Sequence, residues 1–213
     1  MQAAVYDRYG PGRGSRRSQA AADSRVTGAA RSVVLVEGVS DKVALEALAA
    51  RRGRNLAAEG VSVVPIGGAQ AIGRHLRLYG PEGSNLRLAG LCDAGEEGDF
   101  RRALERAGYG RDLGRADLER LGFYVCEADL EDELVRCLGA SAVEEILAAH
   151  GRLASFRTYQ KQPAHRARTT EEQLRGFLNN WKIRLAAPLV DALDLSRVPR
   201  PLDGVLAALS DGR

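Results

Sequence analysis

The sequence predicts an α/β protein whose parallel β-sheet of about four strands lies between helices. Four short apolar runs, each typical of a buried strand, alternate with helical segments from residue 32 onward. Parallel strands need crossover connections, and a helix is the usual one. From residue 141 onward only helical segments remain, which predicts a small C-terminal helical region beside the sheet.

The individual elements follow from hydrophobic periodicity. Residues 33–36 are an unbroken run of Val and Leu, typical of a strand buried on both faces. The other predicted strands are 61–66, 86–92 and 123–126. Crossover helices are predicted at 40–50, 69–78, 97–107 and 130–138. The C-terminal helices are predicted at 142–149, 170–178, 181–193 and 202–209.

The chain of 213 residues is long enough for one α/β domain and an accessory region. Residues 1–31 are rich in Gly, Ser and Arg and show no periodicity, so we predict a flexible arginine-bearing arm there. Residues 32–139 then hold the sheet domain, and 140–213 hold the helical region. No run approaches the roughly 20 apolar residues needed to cross a bilayer, and residues 1–17 lack the apolar block of a secretory signal. A cytoplasmic protein without membrane contact is therefore expected.

Charge is unevenly distributed along the chain. Residues 93–133 carry thirteen acids against six arginines, whereas 151–200 carry ten Lys or Arg against four acids. This favours metal-binding carboxylates beside a phosphate-binding surface, although solvated helix faces of mixed sign would give the same totals. The three cysteines form no C-x-x-C pair, which argues against a disulfide framework and a cysteine zinc site.

Three of the four predicted strands end in acid. Glu37 follows the first, Asp93 the third, and Glu127 the fourth, with Asp129 just beyond. Ligands of open parallel sheets bind at the carboxyl ends of strands, where unpaired carboxylates are costly unless a cation compensates them. Oxygen ligands without nearby His or Cys favour Mg²⁺ or Mn²⁺.

The segment VEGVSD at 36–41, followed by Ala44 and Leu45, resembles the V-E-G-x-S-D-x-x-A-L motif of the Toprim domain, which topoisomerases and primases share. Within that superfamily, about residues 32–193 look most like the nuclease domain of the OLD (overcoming lysogenization defect) proteins. The strings LCD at 91–93, EADLE at 127–131 and WKI at 181–183 add to the resemblance.

The resemblance implies a Toprim (Rossmann-like) fold and a DNA endonuclease that hydrolyses phosphodiester bonds with two Mg²⁺ or Mn²⁺ ions. Glu37 is implied to bind metal and to act in acid/base catalysis, and Lys182 to neutralise charge on the scissile phosphate. The implied metal ligands are Glu37, Asp41, Asp93, Asp129 and Glu131. A homodimer is the expected default.

The sequence departs from the family in two ways. Most Toprim domains carry Asp-x-Asp after the third strand, but Gly95 stands in place of the second Asp, which argues against topoisomerase or primase chemistry. Glu96, Glu97 and Asp99 offer substitute ligands, but we expect them in the first turn of a helix. Many OLD proteins also carry an ATPase domain first, where this chain has its arm. We therefore expect a stand-alone nuclease domain or one with a separate ATPase subunit.

The alternative function is a non-catalytic Toprim module that binds nucleic acid or serves as partner of a separate ATPase. Residue-level alternatives also remain. Glu37 and Asp41 would equally cap the following helix, DLEDEL at 129–134 would be a charged helix start, and Lys182 would be an exposed helix lysine. The glycines at 67–68 form either a tight turn or a phosphate cradle. Residues 156–168 form either a DNA-backbone surface or a solvated loop.

Overall fold

The computed structural model describes residues 30–210, and in them four parallel strands form a single sheet. The strands lie in the order β2-β1-β3-β4. At the carboxyl edge, Val36 of β1 pairs with Pro65 of β2 on one side and with Leu91 of β3 on the other. The strands are β1 (Ser32–Val36), β2 (Val61–Pro65), β3 (Arg87–Cys92) and β4 (Phe123–Val125). The predicted α/β class is therefore confirmed, whereas the predicted arm lies outside the described residues except for its last two.

Ten α-helices accompany the sheet within residues 30–210. Five lie in the sheet region: α1 (Val39–Arg51), α2 (Ile72–Tyr79), α3 (Glu97–Arg106), α4 (Arg115–Arg120) and α5 (Leu130–Leu138). Five form the C-terminal helical region: α6 (Ala140–Ala149), α7 (Leu153–Gln160), α8 (Thr170–Leu178), α9 (Lys182–Asp191) and α10 (Arg200–Ala208). Helices α4 and α7 were not predicted, because each buries a single apolar side chain, Leu118 and Phe156 respectively.

The strands separate two apolar cores. Along β1, Val34 and Val36 face one core while Val33 and Leu35 face the other, as the two-residue period of a strand requires. The second core lies under α2 and α3. The first core lies under α1 and continues without interruption into the C-terminal helical region, where Leu147 is fully buried. The C-terminal helices therefore belong to one of the two layers that cover the sheet.

Helix α9 packs along α1, and this contact is the most extensive between any two described elements. The Arg51 guanidinium at the end of α1 donates hydrogen bonds to the carbonyl oxygens of Val190 (2.8 Å) and Leu193 (2.7 Å). Val190 lies in the last turn of α9, where carbonyl groups lack partners within the helix, and Leu193 lies two residues beyond its end. Within residues 30–210, no helix has the length and apolar character needed to span a bilayer.

Candidate metal centre

Three carboxylates converge at the carboxyl edge of the two central strands. Glu37 directly follows β1, Asp93 directly follows β3, and these strands are neighbours. Glu96 ends a short 3₁₀ turn, Ala94–Glu96, whose tight winding brings its carboxylate back toward Asp93. One ligand oxygen from each of the three residues lies within 4.8 Å of the others. The structure thus unites two predicted ligands with a residue that we expected in the first turn of a helix.

Glu37 has an oxygen that nothing in the protein satisfies. Its Oε2 atom is buried and has no hydrogen-bond partner among the described residues. The pKa of Glu37 is raised to about 7, chiefly by burial and also by the neighbouring carboxylates of Glu96 and Asp41, while the charge of Lys182 opposes the rise. An unpartnered buried carboxylate oxygen is destabilising, and a bound cation would compensate it.

Asp93 occupies a similar environment. Burial raises the pKa of Asp93 to about 8, and the charges of Asp41 and Glu37 contribute to the shift. Like charges this close cannot all ionise without a compensating cation. The set of donors consists of carboxylate oxygens alone, which suits Mg²⁺ or Mn²⁺.

Asp41 lies in the first turn of α1, where its carboxylate accepts a hydrogen bond from the Gly38 N–H at 2.7 Å. It therefore caps its helix, as one of the two sequence interpretations held. Burial raises the pKa of Asp41, while the Gly38 hydrogen bond and the charge of Lys182 lower it. Because Asp41 also interacts electrostatically with Asp129, capping does not remove it from the site.

Asp129 and Glu131 approach from the start of α5. Asp129 caps α5 by accepting from the Asp132 N–H at 2.8 Å, and its other oxygen accepts from Arg175 Nε at 2.8 Å. Burial raises the pKa of Glu131 to about 7, and the charge of Lys182 opposes that rise. The string DLEDEL is thus a helix start, and two of its acids also interact with the site. Neither belongs to the group of three converging carboxylates.

Glu127, the second residue after β4, is directed away from the centre. The Glu127 side chain is 68% exposed and forms an ion pair with Arg136. Buried Glu133 accepts hydrogen bonds from the Glu127 N–H (2.8 Å) and from Arg136 (2.7 Å). These three residues form a structural network outside the candidate centre.

Lys182 is the first residue of α9 and is exposed. A lysine is unfavourable at a helix N-terminus because the macrodipole is positive there. Lys182 compensates by interacting electrostatically with Glu37, Asp41 and Glu131. Lys182, the lysine of the WKI string, is therefore within electrostatic range of the acids at the carboxyl edge of the sheet.

Arg175 was missed by the sequence analysis. It lies on α8 and holds Asp129 through a hydrogen bond that spans 46 residues of the chain. Nothing in the local sequence distinguishes this arginine from the other basic residues of the C-terminal region. It ties the helical region to an acid at the end of the sheet.

A groove of about 490 Å³ opens beside the centre. Glu37 and Glu96 line it together with Asp99 and the segment 67–71. Gly67 and Gly68 have φ of +76° and +111°, which favours glycine, and the Gly67 N–H donates to the Glu37 carbonyl oxygen at 3.1 Å. Because this amide is already bonded to the backbone, the geometry supports the tight-turn interpretation.

Residues 156–168 use their aromatic side chains internally. Phe156 is fully buried, and the Tyr159 ring stacks on His165 with centroids 3.8 Å apart. Arg157 pairs with Glu144 at 2.6 Å. Helix α7 covers the first part of this segment, so it is only partly a loop.

Residues 30–94 match the family of the overcoming lysogenization defect protein-like TOPRIM domain. The chain contains an OLD-like Toprim domain. The matched residues span β1 to β3 and include Glu37, Asp41 and Asp93. They end one residue before Gly95, so Glu96 and the later site residues lie outside the match. No curated protein matches the sequence.

Solved structures extend the likeness over most of the chain. The C-terminal region of the Xanthomonas campestris pv. campestris OLD protein is 25% identical with a TM-score of 0.69, over 85% of this chain and 93% of that one. The C-terminal region of the Burkholderia pseudomallei OLD protein is 22% identical with a TM-score of 0.68, over 85% of this chain and 98% of that one. The Toprim sheet and the C-terminal helical region therefore share the architecture of these OLD C-terminal regions.

Proposed function

We propose that this protein is a metal-dependent DNA nuclease that hydrolyses phosphodiester bonds by a two-metal mechanism. Toprim domains of the OLD family are generally metal-dependent nucleases. The observation that carries the proposal here is the convergence of Glu37, Asp93 and Glu96 around a buried Glu37 oxygen that has no partner.

The available donors fit Mg²⁺ or Mn²⁺. Glu37, Asp93 and Glu96 would hold one ion, and Asp41, Asp129 and Glu131, which interact electrostatically with one another, would hold a second. Cys92 and Cys126 lie close by, and burial raises the pKa of both thiols, so both are neutral in the metal-free protein. Bound divalent ions would supply an activated water and would stabilise negative charge on the attacked phosphate.

Besides metal binding, the proposed mechanism needs charge neutralisation and ligand positioning, and the helical region contributes a side chain to each. The Lys182 ammonium, next to Glu37, Asp41 and Glu131, would neutralise the charge that develops on a scissile phosphate. Arg175 keeps Asp129 oriented through its 2.8 Å hydrogen bond. The resemblance to OLD nucleases also assigns Glu37 a part in acid/base catalysis.

The test is cleavage of supercoiled plasmid and linear DNA with Mg²⁺ or Mn²⁺. We expect Glu37→Gln to lower the rate by about 100-fold or more and Lys182→Ala by about 10-fold or more. Arg197→Ala serves as a control for loss of one exposed positive charge elsewhere in the C-terminal helical region. Absence of metal-dependent cleavage by the wild type, or full activity of Glu37→Gln, would contradict the proposal.

A second candidate function is a non-catalytic Toprim module that binds nucleic acid or assists a separate ATPase. Gly95 favours this function, since the carboxylate that most Toprim domains carry at this position is absent. A side chain would have room there, because a Cβ added to Gly95 would meet no atom within 4 Å. Wild-type protein that binds DNA and metal but cuts neither substrate would support this function.

A further inference from the structure

A cluster of cations surrounds Trp181, the only tryptophan of the chain. The Arg152 guanidinium carbon lies 3.8 Å from the centroid of the indole ring, and that of Arg184 lies 5.8 Å from it. Lys182 is the next residue along the chain. We call this group, with the exposed Asn179, Asn180 and Ile183 beside it, the Trp181 surface.

In the described part of the chain, the cations of the Trp181 surface form no close ion pairs, although Lys182 interacts electrostatically with the acid cluster. Within residues 30–210, Arg152, Lys182 and Arg184 make no ion pair at 4 Å or less. By contrast, Arg157 on the neighbouring helix α7 pairs with Glu144 at 2.6 Å. Two arginines without acidic partners among the described residues, beside one indole ring, give a positive surface that attracts an anionic ligand.

The geometry suits a phosphate-bearing strand. An arginine stacked on an indole keeps its planar set of N–H donors pointing outward in a fixed orientation, which matches phosphate oxygens. Ile183 is 42% exposed, and with the exposed part of Trp181 it offers apolar contact to sugars or bases. Lys182 links this surface to the acid cluster, since it interacts with Glu37 and Glu131.

We propose that the Trp181 surface binds the phosphate backbone of a nucleic-acid strand and leads that strand to the acid cluster. The inference rests on the proposed nuclease function and names where its polymeric substrate lies. It assigns substrate binding to Arg152 and Arg184, rather than to residues 156–168, whose aromatic rings are occupied within the protein.

The test compares two double variants that remove the same charge. Arg152→Ala/Arg184→Ala removes the stacked arginines, and Arg166→Ala/Arg168→Ala removes two exposed arginines of segment 156–168. Affinity for a fluorescein-labelled single-stranded oligonucleotide is measured by anisotropy, with Ca²⁺ replacing Mg²⁺. We expect Kd to rise about 10-fold or more for the first variant and about 2-fold or less for the second. A plot of the logarithm of the association constant against the logarithm of the salt concentration should have a slope smaller in magnitude by about 1.4 for the first variant only.

Trp181 supplies a second measurement that needs no label. An unlabelled oligonucleotide should change the intrinsic tryptophan fluorescence of the wild type, because the single indole lies within the proposed surface. The exposed Arg184→Ala single variant guards against unfolding of the double variant, and it should show an intermediate Kd with an unchanged melting temperature.

The outcomes separate this inference from the nuclease proposal. Equal losses in the two double variants, or binding without a change in Trp181 fluorescence, would overturn the assignment of the surface even if the protein cuts DNA. Selective loss in the Arg152/Arg184 variant would support it even if no cleavage is detected. An absence of oligonucleotide binding by the wild type would overturn it regardless of the cleavage result.

Discussion

Glu96 supplies a carboxylate next to the position where the chain has glycine. The 3₁₀ turn Ala94–Glu96 closes with a hydrogen bond from the Glu96 N–H to the Asp93 carbonyl oxygen at 3.0 Å. This turn orients Glu96 toward Glu37 and Asp93, whereas Glu97 begins α3 and pairs with Arg115 at 2.5 Å. Adjacent acids thus face different surroundings.

This difference gives a matched pair of variants. We expect Glu96→Gln to reduce metal-dependent cleavage by about 10-fold or more and to weaken Mn²⁺ binding, because it removes one of three converging carboxylates. Glu97→Gln should retain activity within about 2-fold, since it loses only an exposed ion pair. Cleavage rates and Mn²⁺ titrations check both, and equal losses in the two variants would contradict the role of Glu96.

Individual site residues differ in how far the sequence could reveal them. Glu37 and Asp93 were predictable as candidates because each directly follows an unbroken apolar strand, and neighbouring parallel strands place such acids together. Glu96 could be offered only as one of three substitute ligands, with Glu97 and Asp99, because a single 3₁₀ turn decides which of them faces the site. Arg175 was not predictable, because its partner Asp129 is distant in sequence and no local pattern joins them.

Gly90 controls how β3 packs against its neighbours. A Cβ at this position would lie 2.5 Å from the Phe123 ring on β4 and 3.0 Å from the Leu35 carbonyl oxygen on β1. β3 is a central strand and Asp93 follows it directly, so any shift of its backbone reaches the site.

We therefore expect Gly90→Ala to lower the free energy of unfolding by about 1–3 kcal/mol through overpacking. Gly95→Ala is the control, since a Cβ there has open space and the change should fall within about 0.5 kcal/mol. Urea unfolding of the two variants checks this. A Gly90→Ala protein as stable as the wild type would show that the Phe123 ring moves aside without cost.

Elements that are buried were predicted better than elements that lie at the surface. The central strands β1 and β3 were evident because their side chains face cores on both sides, giving the unbroken apolar runs 33–36 and 88–92. Helix α4 begins with the Asp117 side chain accepting from the Gly114 N–H at 2.7 Å, and packing of Leu118 supplies the rest. Such a helix depends on its tertiary neighbours, and periodicity over six residues does not reveal it.

The acid cluster makes the stability of the whole molecule depend on pH. Burial raises the pKa of Glu37 and Glu131 to about 7 and that of Asp93 to about 8, so the folded protein keeps protons that the unfolded chain releases. Where the folded state binds more protons, the free energy of unfolding falls as pH rises. For the metal-free protein this fall starts near the unfolded pKa values of about 4 to 4.5 and ends near pH 8.

We expect the melting temperature of the metal-free protein to decrease between about pH 5 and pH 8, and Glu37→Gln to reduce that decrease. Mg²⁺ at pH 8 should raise the melting temperature again, because an ion that binds only the folded state stabilises it. Calorimetry with EDTA and with excess Mg²⁺ tests this. A melting temperature that rises over this range in EDTA would contradict the account.

The predicted division at residues 139 and 140 follows the order of elements along the chain. In space, one apolar core includes residues from both sides of that division, such as Val36 and Leu189. Arg54 also donates to the Leu206 carbonyl oxygen at 2.8 Å, which joins the loop before β2 to the last helix. We accordingly propose that 32–139 and 140–213 depend on each other for folding.

The packing of α9 on α1 affects how much the protein must reorganise when a substrate binds. The Arg51 hydrogen bonds hold the last turn of α9, and the helix carries Lys182 at its opposite end. The start of α9, which carries the lysine, is held in place because the helix packs in the molecule's core. A phosphate entering the site would find its cationic partner already in position, so little of its binding energy is spent on ordering the protein.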